Sequence, residues 1–112
     1  MEITITKDAD YVILTPKGRM DATTVVSFDS TAQSVLTEGF KDILVDFQDL
    51  VYMSSAGLRS LLGLAKKTKA VQGHLCFCSL QPMVAEVFRI SGFDRMLQVC
   101  ADREAGLAAL KA

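Results

Sequence analysis

The stretch Val45-Asp46-Phe47-Gln48-Asp49-Leu50-Val51-Tyr52-Met53-Ser54-Ser55-Ala56-Gly57-Leu58-Arg59-Ser60-Leu61-Leu62 reads as a buried strand, a short loop and two serines that open an amphipathic helix. A hydroxyl in the first turn of a helix can be a cap, holding one backbone N–H that the helix leaves unpaired. It can also be a phosphate acceptor, because a helix N-terminus favours negative charge. Capping needs only one good residue and predicts nothing about Gly57. The second reading uses the small side chains of Ser55, Ala56 and Gly57, which would let another protein approach the helix start. From the residues alone both readings stand.

Outward from this stretch, strands and helices alternate. Ile3 to Lys7 and Tyr11 to Pro16 read as two strands joined by a hairpin turn at Asp8-Ala9-Asp10. Gly18 and Asp21 fall in a loop before a helix from about Thr23 to Thr37, with Thr23 or Asp21 as its cap. Val25, Val26, Phe28, Ala32, Val35 and Leu36 form its apolar stripe, and Glu38-Gly39 ends it. Asp42 to Phe47 is the central strand. The helix from about Ser55 to Ala70 buries Leu58, Leu61, Leu62, Ala65 and Thr68, and Gly73 breaks the chain after it. His74 to Ser79 is the next strand. Pro82 starts a helix that buries Val84, Val87, Phe88 and Ile90 and stops at Gly92. Met96 to Cys100 is a last short strand, and Asp102 caps a helix from Arg103 to about Lys111. The order β-β-α-β-α-β-α-β-α implies an α/β fold with a mostly parallel sheet, made mixed by the opening hairpin. That is a sheet of four to five strands with about four helices, in a single domain over residues 1–112.

The bulk numbers narrow the function. The 112 residues fit one compact domain. Half are apolar, enough for a core without disulfides or metal. Net charge is −1 with no basic stripe, which argues against direct binding of nucleic acid. Met1 to Thr6 alternate like a strand and lack the apolar run of a signal peptide, and nothing approaches a membrane span. The expected location is therefore cytoplasmic, without membrane insertion. The odd count of three cysteines, Cys76, Cys78 and Cys100, fits a reducing compartment. Alternation puts Cys76 and Cys78 on one face of their strand, where core packing is the expectation rather than a metal site.

No catalytic site assembles from the sequence. Ser54 and Ser55 are nucleophile candidates, but the single histidine, His74, heads a distant strand. Ser-Ala-Gly lacks the flanking glycine of a nucleophile elbow, and Gly18 belongs to no phosphate loop. Asp46 and Asp49 read as solvated or capping groups at a strand end. The chain is not expected to be an enzyme.

Three motifs carry a resemblance. The run Asp46-x-x-Asp49-Leu50-x-Tyr52-Met53-Ser54-Ser55-Ala56-Gly57-Leu58 resembles the signature of STAS domains, the anti-sigma factor antagonist family. Gly18-Arg19-Met20-Asp21 is similar to the family's Gly-x-Leu-Asp after the second strand. Phe88-Arg89-Ile90-Ser91-Gly92-Phe93 is similar to its Phe-x-x-Ser/Thr-Gly-Leu near the C-terminus. The motifs follow in order along essentially the whole chain, and its length implies a free-standing domain. The resemblance implies partner switching in bacterial transcription signalling. The unphosphorylated domain would bind an anti-sigma factor that is also a serine kinase, and so release a sigma factor. Phosphorylation would weaken that complex, and a PP2C-type phosphatase would restore it. ATP and magnesium belong to the kinase, so this chain needs no cofactor. Carried over by position, the acceptor is Ser55, with Ser54 in reserve. Ser54 stands where the family has an acid, and Asp21 matches a second acid near the acceptor. The partner-binding surface implied is Gly18, Asp21, Tyr52, Met53, Ser54, Ser55, Ala56, Gly57 and Arg59. Two other roles are compatible with the resemblance. One is a regulatory STAS subunit of an ABC lipid-transport complex, docking an ATPase; the other is a sensor binding a nucleotide or small ligand near Gly18 and Ser55.

Overall fold

The computed structural model describes residues 1–111. β1 (Glu2–Lys7) turns back at Asp8, whose N–H donates to the Tyr11 carbonyl at 2.9 Å, and pairs antiparallel with β2 (Val12–Met20). α1 (Val25–Thr37), β3 (Asp42–Asp46), β4 (Leu50–Met53) and α2 (Ser55–Ala70) follow. Next come β5 (His74–Cys78), α3 (Pro82–Ser91), a single turn α4 (Phe93–Met96), β6 (Gln98–Cys100) and α5 (Arg103–Lys111). The main sheet runs β1-β2-β3-β5-β6, with β2, β3, β5 and β6 parallel. The α/β class and the mixed sheet are as the sequence implies.

Two elements are additional. β4 occupies what reads as a loop at Tyr52 and Met53, and it pairs parallel with the far half of β2. Consequently β2 does not end at Pro16. It continues through Gly18, at φ +98°, where the register against β4 shifts by a bulge. Only glycine adopts that φ without strain, so the residue that reads as a loop signal instead bends one long strand so that it serves two partners. The second addition is α4: Met96 closes this helical turn, so the last strand starts at Gln98 instead of Met96.

Two apolar layers sandwich the sheet. On one side Phe28, Phe47, Leu61, Leu64, Phe77, Val84 and Phe88 join α1, α2 and α3 to it. Phe47, Phe77 and Phe88 touch one another, with ring centroids 5.7–6.3 Å apart. On the other side a smaller cluster of Ile13, Leu44, Cys76, Cys78 and Leu110 lies under α5. The core packing expected of Cys76 and Cys78 is therefore met, and burial pushes both thiols up to about 11. Two expected core residues are outside. Val26 is 69% exposed and Ile90 is 72% exposed, because each sits past the edge of its helix stripe. Leu64 is buried in α2 instead, where Leu58 and Leu62 are only half-buried.

Asp46 is neither solvated nor a simple cap. It is 1% exposed at the end of β3, and its Oδ2 lies 3.0 Å from Arg103 Nε at the start of α5. Its other oxygen accepts the Gln48 N–H at 3.0 Å, and Arg103 also donates to Thr15 Oγ1 at 3.3 Å. The carboxylate thus has partners for both oxygens, as a buried charge requires. Asp49, by contrast, is exposed.

Candidate functional site

β2 and β4 run side by side in parallel, with Met20 opposite Met53. The residues that follow each strand are therefore neighbours: Asp21 after Met20, and Ser54 after Met53. The Ser54 N–H donates to the Met20 carbonyl at 2.9 Å, which carries the strand pairing one step into the turn. Topology thus joins two motifs more than thirty positions apart in the chain.

Ser54 is the N-cap of α2, with extended backbone (φ −94°, ψ 176°). Its hydroxyl accepts the Gly57 N–H at 3.4 Å, a long and therefore weak cap. Its carbonyl accepts the Leu58 N–H at 3.1 Å. Ser55 is the first residue of the helix and is exposed. Among the described residues no hydrogen bond ties its hydroxyl to the fold, because Ser54 holds the cap. The first turn of α2 contains no acidic residue, whereas Lys67 and Lys69 occupy the last turn. No side chain of the helix's own first turn offsets the positive end of its dipole beside Ser55.

Asp21 is committed to its own turn. Its Oδ1 accepts the Thr23 hydroxyl at 2.7 Å, the Thr23 N–H at 3.0 Å and the Thr24 N–H at 3.2 Å. The Thr23 hydroxyl, followed by these backbone N–H groups, holds the carboxyl below its ordinary range. Neither cap candidate is the N-cap of α1: that position is Thr24, which makes no side-chain cap bond, and Asp21 closes the turn before it. Thr23 donates to Asp21, and the helix itself begins later, at Val25. Thr24 adds a bond from its hydroxyl to the Arg19 carbonyl at 2.7 Å.

Two expected contact residues lie inside the fold. Met53 is 2% exposed and Gly57 is buried. A Cβ at Gly57 would stand 2.9 Å from Met53 Cγ, 3.1 Å from Met20 Cγ and 3.2 Å from the Met20 carbonyl oxygen. The small residue at position 57 lets α2 sit down on β2 and β4; it does not open the helix to an outside protein. Gly18, Asp21, Tyr52, Ser54 and Ala56 are half-buried, while Ser55 and Arg59 are exposed. The sequence reading placed Arg19 in the Gly18–Asp21 loop but missed its contact with Tyr52. Arg19 is the register partner of Tyr52, and its guanidinium carbon lies 4.0 Å from that ring's centroid. The missing signal was β4: without that strand nothing places Arg19 beside Tyr52.

His74 heads β5, at the N-terminal end of the parallel strands, and its Nδ1 lies 3.0 Å from Asp42 Oδ1. Ser54 and Ser55 follow the C-terminal end of β4, which is parallel to β2. The histidine and the serines are thus at opposite ends of the sheet. Among the described residues no group of three His, Cys, Asp or Glu side chains is arranged to hold a metal ion, and no helix is long and apolar enough to cross a membrane.

Comparison with known proteins sharpens this picture. Residues 1–106 match the family model described as the STAS domain. A Bordetella bronchiseptica protein, BtrV, named as a candidate anti-sigma factor antagonist, is 36% identical over 111 residues, covering 99% of this chain and 96% of BtrV. The crystal structure of a candidate anti-sigma factor antagonist from Thermotoga maritima superposes with a TM-score of 0.92 at 17% identity, over 98% of this chain and 95% of that one. The Bacillus cell fate determinant SpoIIAA, solved in its phosphorylated form, superposes with a TM-score of 0.72 at 22% identity, over 93% and 96%.

Proposed function

The chain belongs to the STAS domain family, and on that premise we propose that it is an anti-sigma factor antagonist acting by partner switching. Unphosphorylated, it binds an anti-sigma factor that is also a serine kinase, and a sigma factor is released. Transfer of the γ-phosphoryl group of the kinase's ATP to Ser55 weakens the complex. A PP2C-type phosphatase removes the phosphate and resets the switch. The surface engaged is Gly18, Asp21, Tyr52, Ser54, Ser55, Ala56 and Arg59, with Met53 and Gly57 shaping it from beneath.

The single observation that carries this reading is the division of labour at the start of α2. Ser54 holds the cap, so the exposed Ser55 hydroxyl is released from any structural duty. A phosphate there adds a charge of about −1.5 to −2 at the positive end of the helix dipole, so the fold tolerates it. The same charge on a docking surface must be desolvated or repelled, so the complex does not. That a Bacillus protein of the same fold exists in a phosphorylated form supports this reading.

The test is to incubate the protein with its cognate kinase and magnesium-ATP and to map the modified residue by mass spectrometry. Phosphate on Ser55, lost in Ser55→Ala, is the expected result. Modification at Ser54 alone would move the acceptor by one residue. No transfer by any kinase that binds the protein would overturn the switch.

A further inference from the structure

The face of the sheet turned away from α2 gathers the three cysteines of the chain. Cys76 and Cys78 alternate along β5 and are buried under α5 with Ile13, Leu44 and Leu110. Cys100, on the short edge strand β6, packs against the same cluster but is only half-buried. β5 and β6 are parallel neighbours, and their register sets Cys78 directly beside Cys100. Paired positions on adjacent strands leave the sheet on the same face, with the strands about 4.8 Å apart. A disulfide accepts Cα separations of about 4.4–6.8 Å. Cys76 lies one pair earlier, opposite Gln98, and its thiol donates to Gln98 Oε1 at 3.4 Å. Cys76 is therefore engaged elsewhere.

We propose that Cys78 and Cys100 form a reversible disulfide when the protein meets a hydroperoxide. Cys100 reacts first, as the one of the three that is not fully buried. Its sulfur attacks a peroxide oxygen and the O–O bond breaks. The sulfur is oxidised to the sulfenic acid, and the peroxide leaves as water, or as an alcohol if it is organic. The Cys78 sulfur then attacks the Cys100 sulfur. The S–S bond forms and the S–OH bond breaks, and the departing hydroxide takes the Cys78 proton as a second water. Burial holds the Cys76 and Cys78 thiols near 11, which keeps both protonated at neutral pH and leaves the first step to Cys100. In a reducing compartment such a bond is transient and is undone by thiol exchange.

The experiment treats the full chain with hydrogen peroxide, blocks free thiols, and digests it with trypsin without reduction. Cleavage after Lys69, Arg89, Arg95 and Arg103 puts Cys78 and Cys100 on different peptides. The expected product is these two peptides joined with the loss of two hydrogens, and separated again by dithiothreitol. The link persists in Cys76→Ser. It disappears in Cys78→Ala and in both Cys100→Ser and Cys100→Ala, with circular dichroism checking that each variant folds. Three results would overturn the proposal: a link lost in Cys76→Ser but kept in Cys78→Ala; a bond between two chains in place of one within the chain; or Cys100 oxidised to the sulfinic acid with no link at all.

Discussion

The starts of α1 and α2 are built on neighbouring strands yet are finished in opposite ways. The turn before α1 is closed. The Asp21 carboxylate accepts four hydrogen bonds from Thr23 and Thr24, and Thr24 ties back to the Arg19 carbonyl. The start of α2 is open: one long bond from Gly57 to Ser54, no acid in the first turn, and an exposed serine at the first helical position. The carboxylate of the first turn supplies from within the chain what the second would receive only as a phosphate. A closed turn beside an open one is a rigid frame around the proposed point of modification.

The open turn keeps its place through packing, and the largest effect follows from that. Gly57→Ala puts a methyl group within 2.9–3.2 Å of Met53 and of Met20, including its backbone carbonyl. Overpacking of this kind costs about 1–3 kcal/mol, more than the fraction of a kcal/mol that alanine gains in helix propensity. Gly63, six residues later in the same helix, has open space around its Cβ position. Gly63→Ala should stabilise by about 0.5–1 kcal/mol. Urea denaturation of both variants measures the pair. Equal effects at the two glycines would mean that α2 is not seated on β2 and β4 through residue 57.

The second prediction separates the fold from the switch. Ser55→Glu should change stability by at most about 0.3–1 kcal/mol, in the favourable direction, because the charge meets the positive end of the dipole. Affinity for the anti-sigma factor should fall at least about tenfold, or about 1.4 kcal/mol. Calorimetry of the variant alone and with its partner reads both quantities. Unchanged affinity would make Ser55 an ordinary surface residue.

The closed turn should reveal itself through pH. The hydrogen bonds to Asp21 depress its folded pKa below the unfolded value of about 3.9. The stability they confer is thus fully present above that value and is lost as pH falls through the folded pKa. Asp21→Asn keeps the shape and removes the charge. Wild type should exceed the variant in thermal midpoint near pH 6–7, and the gap should narrow below about pH 4. A gap independent of pH would show that charge contributes nothing to this turn.

How far the sequence led can be traced to particular residues. The long alternations and the helix stops were legible because each carries its own signal: Pro82 at a helix start, Gly92 at φ +79° at its end, Asp102 accepting the Ala105 N–H at 2.9 Å. β4 was not, because four residues with burial at Leu50 and Met53 and exposure at Val51 carry too little pattern. Its partner is also far away, past a bulge at Gly18 that reads as a loop. Once β4 was missed, so were the Arg19–Tyr52 contact and the reason for Gly57. Asp46 was misjudged for a related reason. Its partner Arg103 lies 57 positions on, and nothing local tells a buried acid from a solvated one. In the candidate site, position in the motif singled out Ser54 and Ser55, but only packing separates the residues at the surface from Met53 and Gly57, which lie under it.

The smallest effect on stability falls at the most exposed departure from the family pattern. Ser54 stands where the resemblance expects an acid, and it is the N-cap of α2. Asp and Ser are about equal as caps, so Ser54→Asp should leave stability within a few tenths of a kcal/mol. The carboxylate would, however, place a permanent negative charge at the open helix start, one residue from the proposed acceptor. In the kinase complex that charge would either orient the Ser55 hydroxyl or draw on the magnesium ion, which prefers oxygen ligands. In a kinase adapted to Ser54, it would repel the incoming phosphoryl group instead. Single-turnover phosphorylation of the two proteins, with stability measured alongside, reads the result. A changed rate with an unchanged fold would make position 54 part of the switch. An unchanged rate, with Ser55 confirmed as acceptor, would reduce it to a cap, and the open turn would then owe its function to Ser55 alone.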